Sequence, residues 1–369
     1  MGPSQGEREL SLPDFPWDRL APLAEVARSH ESFADLSIGS PVDPTPAFIQ
    51  DQLAAAANAP GYPTVAGTEA VRGAFVDWLR RRAGVRLDPI AAIPSIGSKE
   101  LVALLPFLLS LGPGDRVVVP TVAYPTYAVG ALVAGCEVVA SDDPAACAGA
   151  RLVWVNSPGN PSGRVASAHE LRAMVEAARA AGAVLASDEC YLEFGYDATP
   201  VSVLHPSVIG ADPTGVLSLH ALSKRSNMAG YRFGAVAGDP ALIARLLEIR
   251  KHLGLMVPAP VQHAAAAAWA DDAHVDLQRD RYLGRRAVLR PALEEAGFRI
   301  DHSEAGLYLW ATRGQECWQT VADLARLGVL AAPGDFYGEA GARHVRLALT
   351  ATDEAIGGAA ERIRAGDTV

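Results

Sequence analysis

At 369 residues, half of them apolar and a fifth charged, the chain has enough nonpolar material for a large buried core and length for roughly two or three domains. A net charge of −10 and a pI near 5.4 argue against a general nucleic-acid binder or a protein of anionic membrane surfaces. The four cysteines (136, 147, 190 and 317) show no CxxC spacing and no metal-ligand pattern with histidine. The opening MGPSQGEREL lacks a basic run followed by an apolar stretch, so the reading is a reduced, cytoplasmic protein with no metal.

In chain order, residues 1–45 are rich in proline and aspartate, carry Phe15 and Trp17 as aromatic anchors, and end in DLSIGSPVDPTP. From 47 to 83 the pattern is helical, broken by NAPGYPTVAGT, where Pro60, Gly61, Pro63 and Gly67 mark a loop. The apolar stretch LVALLPFLLSLG (101–112) is too short to span a bilayer and contains Pro106. Short β-branched runs then alternate with helical ones. RVVVP (116–120), CEVVA (136–140), RLVWVN (151–156), AVLASD (183–188), GVLSLH (215–220) and FGAVAG (233–238) read as strands. Between two of them, ASAHELRAMVEAARAAG (166–182) reads as a helix capped by Ser167 and stopped at Gly182. Residues 239–295 read as a long helical stretch. LYLWAT and HVRLALT follow as strands, with helices at 317–327 and 353–364. Continuous apolar strands separated by helices predict a mostly parallel sheet covered on both faces. The expected architecture is α/β: an amino-terminal segment (1–45) joining a small domain, a large domain (46–280), and a small α/β domain (281–369).

Nucleotide signatures are absent: no GxGxxG follows a strand and no GxxxxGK[ST] occurs. IPSIGSKELVALL instead brings an apolar run to Gly97-Ser98-Lys99 and a helix start, where free backbone N–H groups favour an anion; a plain strand-to-helix turn is the competing reading. VNSPGNPSG ends another strand in a loop carrying Asn156 and Asn160, and ASDECYLEF puts Asp188 at a strand end with Tyr191 three residues on. SLHALSKRSNMAGYRFG places Ser223-Lys224 just past a further strand, with Arg232 eight residues later. The chain has only three lysines, Lys99, Lys224 and Lys251, against 29 arginines. A lysine amine can be neutralised and act as nucleophile or base, which arginine cannot. Lys251, in the helical EIRKHLG, reads as a surface residue.

Asn160, Asp188, Lys224 and Arg232 lie 28, 36 and 8 residues apart, each at a strand end or just beyond. With NxxxNPxG at Asn156–Gly163, DExY at Asp188–Tyr191 and SKxxxMxGxRxG at Ser223–Gly234, the chain resembles the fold-type I pyridoxal-phosphate enzymes. Within these it resembles the class I/II aminotransferases, from DLSIGSPV to HVRLALT. The resemblance implies that Lys224 forms the Schiff base with pyridoxal 5′-phosphate and that Asp188 holds its ring nitrogen protonated. It implies that Tyr191 and Asn160 bond its phenolic oxygen and that Tyr124 stacks on the ring. Gly97, Ser98, Lys99, Ser223 and Arg232 would cradle the phosphate, and Tyr62 would reach it from a partner subunit, which implies a homodimer. Arg346 would clamp the substrate α-carboxylate, Ile38 and Gly39 would lie over the substrate, and Phe336, Tyr337 and Gly338 would form a loop near the pocket.

LPDFPWDRLAP, PVDPTP, APGYPTVAGT, GSKELVA and LSKRSNMAGYRFG are most similar to the actinobacterial-type succinyldiaminopimelate aminotransferases of lysine biosynthesis. The implied substrates are small amino acids and 2-oxoacids. Arg225, Arg28 and Arg313 are candidate donors for further substrate carboxylates, against a reading of each as a surface residue. Three other readings stay open at this point: an aspartate or aromatic aminotransferase, a carbon–sulfur lyase on the same cofactor, and a cofactor-sensing regulator. The last would need a DNA-binding segment before DLSIG, where about 35 residues stand.

Overall fold

In the computed structural model, which describes residues 12–366, thirteen strands follow in chain order. They are β1 (Ala34–Asp35), β2 (Ala91–Ser95), β3 (Arg116–Val119), β4 (Glu137–Ala140), β5 (Ala150–Asn156), β6 (Val184–Asp188) and β7 (Val216–Ala221), then β8 (Gly234–Gly238), β9 (Arg299–Ile300), β10 (Tyr308–Thr312), β11 (Val329–Leu330), β12 (Ala332–Pro333) and β13 (Val345–Ala348). Residues 1–11 and 367–369, with the leader reading of MGPSQGEREL and the outer ends of the expected terminal segments, lie outside the described residues.

The large sheet has the order β2-β8-β7-β6-β5-β3-β4, parallel except for β8, which runs against both of its neighbours. The six runs read as strands between 116 and 238 are all in it. Alternate residues of each strand feed different cores, as a two-residue period requires. Val118, Val153, Val155, Leu185 and Val216 join Phe75, Trp78 and Trp269 on one face. Val117, Val119, Leu152, Trp154, Leu217 and Leu219 join Leu101, Leu105, Tyr127 and Leu246 on the other. Burial on both faces is why these strands show unbroken apolar runs rather than alternation.

Local chemistry places the helix ends. Helix Ala168–Ala180 starts in a capping box, with Ser167 Oγ accepting from Glu170 N–H and the Glu170 carboxylate accepting from Ser167 N–H. The expected helical run over 239–295 is three helices, Pro240–Leu253, Ala259–Ala270 and Ala273–Glu295. Gly254 ends the first in the left-handed region (φ 66°), and Pro258 sets up the second.

A four-stranded antiparallel sheet, β12-β13-β10-β9, packs in a third core with helices Ala21–Arg28, Cys317–Arg326 and Asp353–Ala365. The parallel pair β1–β11 ties the early chain to this part. Leu36 N–H donates to Leu330 O and Ala348 N–H to Leu36 O, both at 2.8 Å, which lays Ser37–Gly39 beside the β13 arginine.

Candidate active site

Strands β3, β5, β6 and β7 all end at one edge of the large sheet, and the residues after them converge there. Arg232 reaches the same edge by a different route from the expected one: it precedes the start of β8, the reversed strand, rather than following a strand end. Its φ of 57° is a left-handed conformation costly for a side chain with a Cβ. A cavity of about 410 Å³ opens at this edge, and Ile38, Gly39, Ser98, Lys99, Tyr124, Asn160, Asp188, Tyr191, Ser223, Lys224, Arg232 and Arg346 all line it. Lys99, Lys224, Arg232 and Arg346 face a single carboxylate, Asp188, among these wall residues.

Lys224 stands in a single helical turn, Leu222–Arg225, straight after β7, and its Nζ donates to Gly39 O. Burial pulls its pKa below the ordinary lysine value; Tyr308 works against that pull, while the Arg346 and Arg232 charges add to it. The amine is thereby biased toward its neutral, nucleophilic form. Asp188 is buried, and burial raises its carboxyl although Tyr127 Oη donates to it at 2.8 Å and Cys190 N–H at 3.2 Å. A cation in the cavity would favour its charged form.

Asn156 pins the loop after β5. Its Nδ2 donates to Asp188 O at 2.9 Å, and its Oδ1 accepts from Asn160 N–H at 2.7 Å. Asn160 Oδ1 in turn accepts from Arg346 Nη1 at 2.9 Å. Guanidinium only donates, so the Asn160 carbonyl faces Arg346 and its amide nitrogen is left for a ligand oxygen. Arg346 Nη2 donates to Ser37 O at 2.6 Å, the guanidinium lies 4.0 Å from the Tyr308 ring centroid, and Nε is buried without a partner.

The helix Gly97–Leu108 starts at the same edge with no side chain capping its N–H groups. Gly97, at φ 73°, does not line the cavity; it lies behind Arg232, whose guanidinium a Cβ there would strike. Gly234 is needed for the same close packing, because its Cβ would lie 2.7 Å from Ser95 Oγ and 2.8 Å from Ser98 N.

Other expected site residues are elsewhere. Tyr62 is 97% exposed and outside the cavity of its own chain. Phe336, Tyr337 and Gly338 stand behind the wall, where Tyr337 O accepts from Ala123 N–H at 2.8 Å and so holds the Tyr124 loop. Arg225 is neither a surface nor a cavity residue: it is buried, pairs with Glu193 at 2.5 Å and covers the Trp269 ring at 4.7 Å. Arg28 is exposed beside Phe33, and Arg313 lies 3.4 Å from Asp323; neither lines the cavity. Lys251 is half exposed and paired with Glu248 at 2.6 Å.

The family model for aminotransferase class I and II matches residues 32–363. The chain belongs to that family. It is 56% identical to the 4-dedimethylamino-4-oxo-anhydrotetracycline transaminase OxyQ of Streptomyces rimosus, over 95% of this chain and 99% of that one. It is 55% identical to a probable aminotransferase of Mycobacterium tuberculosis, over 98% and 87%. Among solved structures, a probable N-succinyldiaminopimelate aminotransferase from Thermus thermophilus superposes with a TM-score of 0.86, at 29% identity and over 95% and 100% of the two chains.

The family's cofactor is pyridoxal phosphate, and the cavity of this aminotransferase fits it. A lysine with a lowered pKa, a buried carboxylate, and an uncapped helix start beside an arginine are groups that would suit an aldehyde, a protonated ring nitrogen and a phosphate. No group of three His, Cys, Asp or Glu among the described residues is arranged to hold a metal, and none of their helices is long and apolar enough to cross a membrane.

Among the wall residues that the sequence did not single out are Tyr127, Cys190 and Tyr308. Tyr127 stands in the first turn of the helix Thr126–Val133, three residues after Tyr124 of the preceding loop, in the same YPTY stretch. Tyr308, inside LYLWAT, looks like any core aromatic of a strand. A buried polar cluster also stands directly behind Asp188. Glu189 accepts from Ser187 Oγ (2.9 Å), Ser218 Oγ (3.0 Å) and Val203 N–H (2.6 Å), and His220 Nε2 meets Ser218 Oγ at 2.6 Å. Burial raises Glu189 to about 7 and lowers His220 to about 3.

Proposed function

We propose that this aminotransferase moves an amino group from glutamate to N-succinyl-2-amino-6-oxoheptanedioate, giving N-succinyl-L,L-diaminopimelate and 2-oxoglutarate, in diaminopimelate and lysine biosynthesis. The observation that carries the reaction class is the convergence of Lys224, Asp188, Tyr191 and Arg346 on one cavity. Bound pyridoxal phosphate supplies an electron sink for the substrate carbanion. Lys224 would hold it covalently and, once displaced, would take the proton from the substrate Cα onto its freed amine. Asp188 keeps its ring nitrogen protonated, Tyr191 and the Asn160 amide bond its phenolic oxygen, and Tyr124 covers its face.

Ser98, Lys99, Ser223 and Arg232, with the backbone at Gly97, hold the phosphate. Tyr62, fully presented to solvent in one chain, reaches the phosphate of a second copy, so the working unit is a cytoplasmic homodimer. Arg346 clamps the α-carboxylate, and Ile38 and Gly39 lie over the substrate. The division into residues 1–45, 46–280 and 281–369 puts these last groups on the smaller body. The succinyl-diaminopimelate reading draws on the motif resemblance and on the Thermus thermophilus structure.

A second reading has its own support. OxyQ is named for a polycyclic ketone substrate, and here Phe15 and Trp17 add an aromatic rim to the cavity. The absorption spectrum of the cofactor-loaded protein separates the two. Bleaching of the visible band by both glutamate and N-succinyl-L,L-diaminopimelate supports the first reading. Bleaching by glutamate followed by recovery only with a polycyclic ketone favours the second, and no visible band refutes both. A fully active monomer by light scattering would remove Tyr62 from the site.

A further inference from the structure

One phenol in the cavity wall has no place in the roles assigned so far. Tyr308 comes from β10, in the antiparallel sheet, and is buried with its ring against the Arg346 guanidinium. Its hydroxyl lies 3.1 Å from that of Tyr191, and the two rings meet edge-on with centroids 5.8 Å apart. Gly39 closes the third side. Its carbonyl accepts from Lys224 Nζ, and any side chain at Gly39 would run into the Tyr308 hydroxyl and ring. The Lys224 amine and the two phenol oxygens are therefore gathered around one glycine. A phenylalanine would stack under Arg346 just as well, so the hydroxyl is the atom that needs a reason.

We propose that Tyr308 is a positioning residue for Lys224, its phenol oxygen linking the lysine amine and the Tyr191 hydroxyl in one proton-sharing cluster inside the closed wall. The groups facing that oxygen are Tyr191 and Cys190 from the segment after β6, Lys224 from the turn after β7, and Arg346 from β13, with Arg232 acting on the lysine and Tyr337 standing behind the arginine. Their balance is uneven. Burial alone would raise both phenols, and it holds Tyr191 well above the ordinary value. For Tyr308, the charges of Arg346 and Lys224 and the bond to Tyr191 outweigh burial and hold it below that value. In the cofactor-free cavity Tyr191 is then the donor of the shared hydrogen bond and Tyr308 its acceptor. Negative character on Tyr308 supports the protonated state of Lys224, offsetting part of the effect of burial. Such a cluster gives Lys224 a partner whenever it gains or loses a proton, with no water needed in the site.

The inference rests on the assignment of Lys224 as the cofactor lysine, and the test separates the two. In cofactor-free protein, reductive methylation is followed by peptide mass spectrometry across pH, with Lys99 and Lys251 as the internal references, since no other lysines exist. Tyr308→Phe removes only the hydroxyl. Without it the Lys224 pKa falls, so Lys224 is methylated about three- to tenfold faster below its pKa, a shift of up to about one pH unit, while Lys99 and Lys251 keep their rates. In the holoenzyme the pH midpoint of the cofactor's visible band moves to lower pH, and kcat falls about tenfold with KM for glutamate held within about twofold. Unchanged Lys224 methylation together with an unmoved midpoint overturns the proposal. If Lys224→Ala still bonds the cofactor covalently, the underlying assignment falls, and this inference with it.

Discussion

Arg346→Ala tests the substrate clamp, and the geometry sets the size of the effect. A guanidinium has five N–H groups. Here Nη1 spends one on Asn160 Oδ1 and Nη2 one on Ser37 O, which leaves one on each terminal nitrogen and the buried, unpartnered Nε–H. A carboxylate approaching side-on takes Nε–H and one terminal N–H. Two such charge-assisted bonds at about 1.5–3 kcal/mol each give about 3–6 kcal/mol, or roughly 10²–10⁴ in kcat/KM. Because amino acid and oxoacid carry the same α-carboxylate, both half-reactions should lose the same factor. Arg346→Lys keeps the charge but not the fork, so it should lose about one of the two bonds, roughly 10- to 100-fold. The assay is single-turnover absorbance of the cofactor with glutamate and, separately, with 2-oxoglutarate. Alanine also strands the Asn160 and Ser37 oxygens, at about 1–3 kcal/mol each, so the melting temperature should fall and must be recorded beside the rates. A change under threefold in either half-reaction, or a loss confined to one, would refute the clamp.

Lys224→Ala should fold yet fail to retain cofactor through borohydride reduction and denaturing gel filtration; cofactor still attached afterwards would sink the lysine assignment. Gly234→Ala should press the amino end of the helix Gly97–Leu108 away from β8 and weaken cofactor binding by roughly 5- to 150-fold, if overpacking of about 1–3 kcal/mol falls on the cradle. A dissociation constant equal to wild type, measured by equilibrium dialysis, would contradict the cradle. Glu189→Gln should change how stability depends on pH. Glu189 keeps its proton in the folded state up to about 7, against an ordinary value of 4.5, so it lowers stability as pH rises through that window. His220, held down to about 3 against 6.5, raises stability with pH up to 6.5. The slopes cancel between about pH 4.5 and 6.5 in wild type; in the variant, stability should climb there by up to ~1.4 kcal/mol per pH unit. Parallel denaturant-unfolding curves for the two proteins would show the reasoning wrong.

Much of this site is legible before folding because its parts are coded locally. Strands buried on both faces must be apolar throughout, so β3, β5, β6 and β7 show as uninterrupted runs. The residue after each stands at an edge where glycine and proline shape the turn. Asn160, Asp188 and Lys224 could thus be placed at strand ends from their own neighbourhoods, and the three-lysine count pointed to Lys224. The break in the long helical stretch was also written there, in Gly254 and Pro258, though periodicity alone ran past it.

The remainder depended on contacts between distant segments, which no local pattern encodes. Nothing in FGAVAG says that β8 runs backwards, yet that reversal is what turns Arg232 toward the cavity. Pairing of β1 with β11, nearly 300 residues apart, lays Ser37 and Gly39 against Arg346 and Lys224. Arg225 adjoins Lys224 in sequence but is drawn to Glu193 and Trp269, because a helical turn points successive side chains in different directions. Tyr308 shows the limit most clearly. A strand tyrosine in a sequence is a core residue by default, and only the approach of the second sheet sets its hydroxyl among a lysine, an arginine and another phenol.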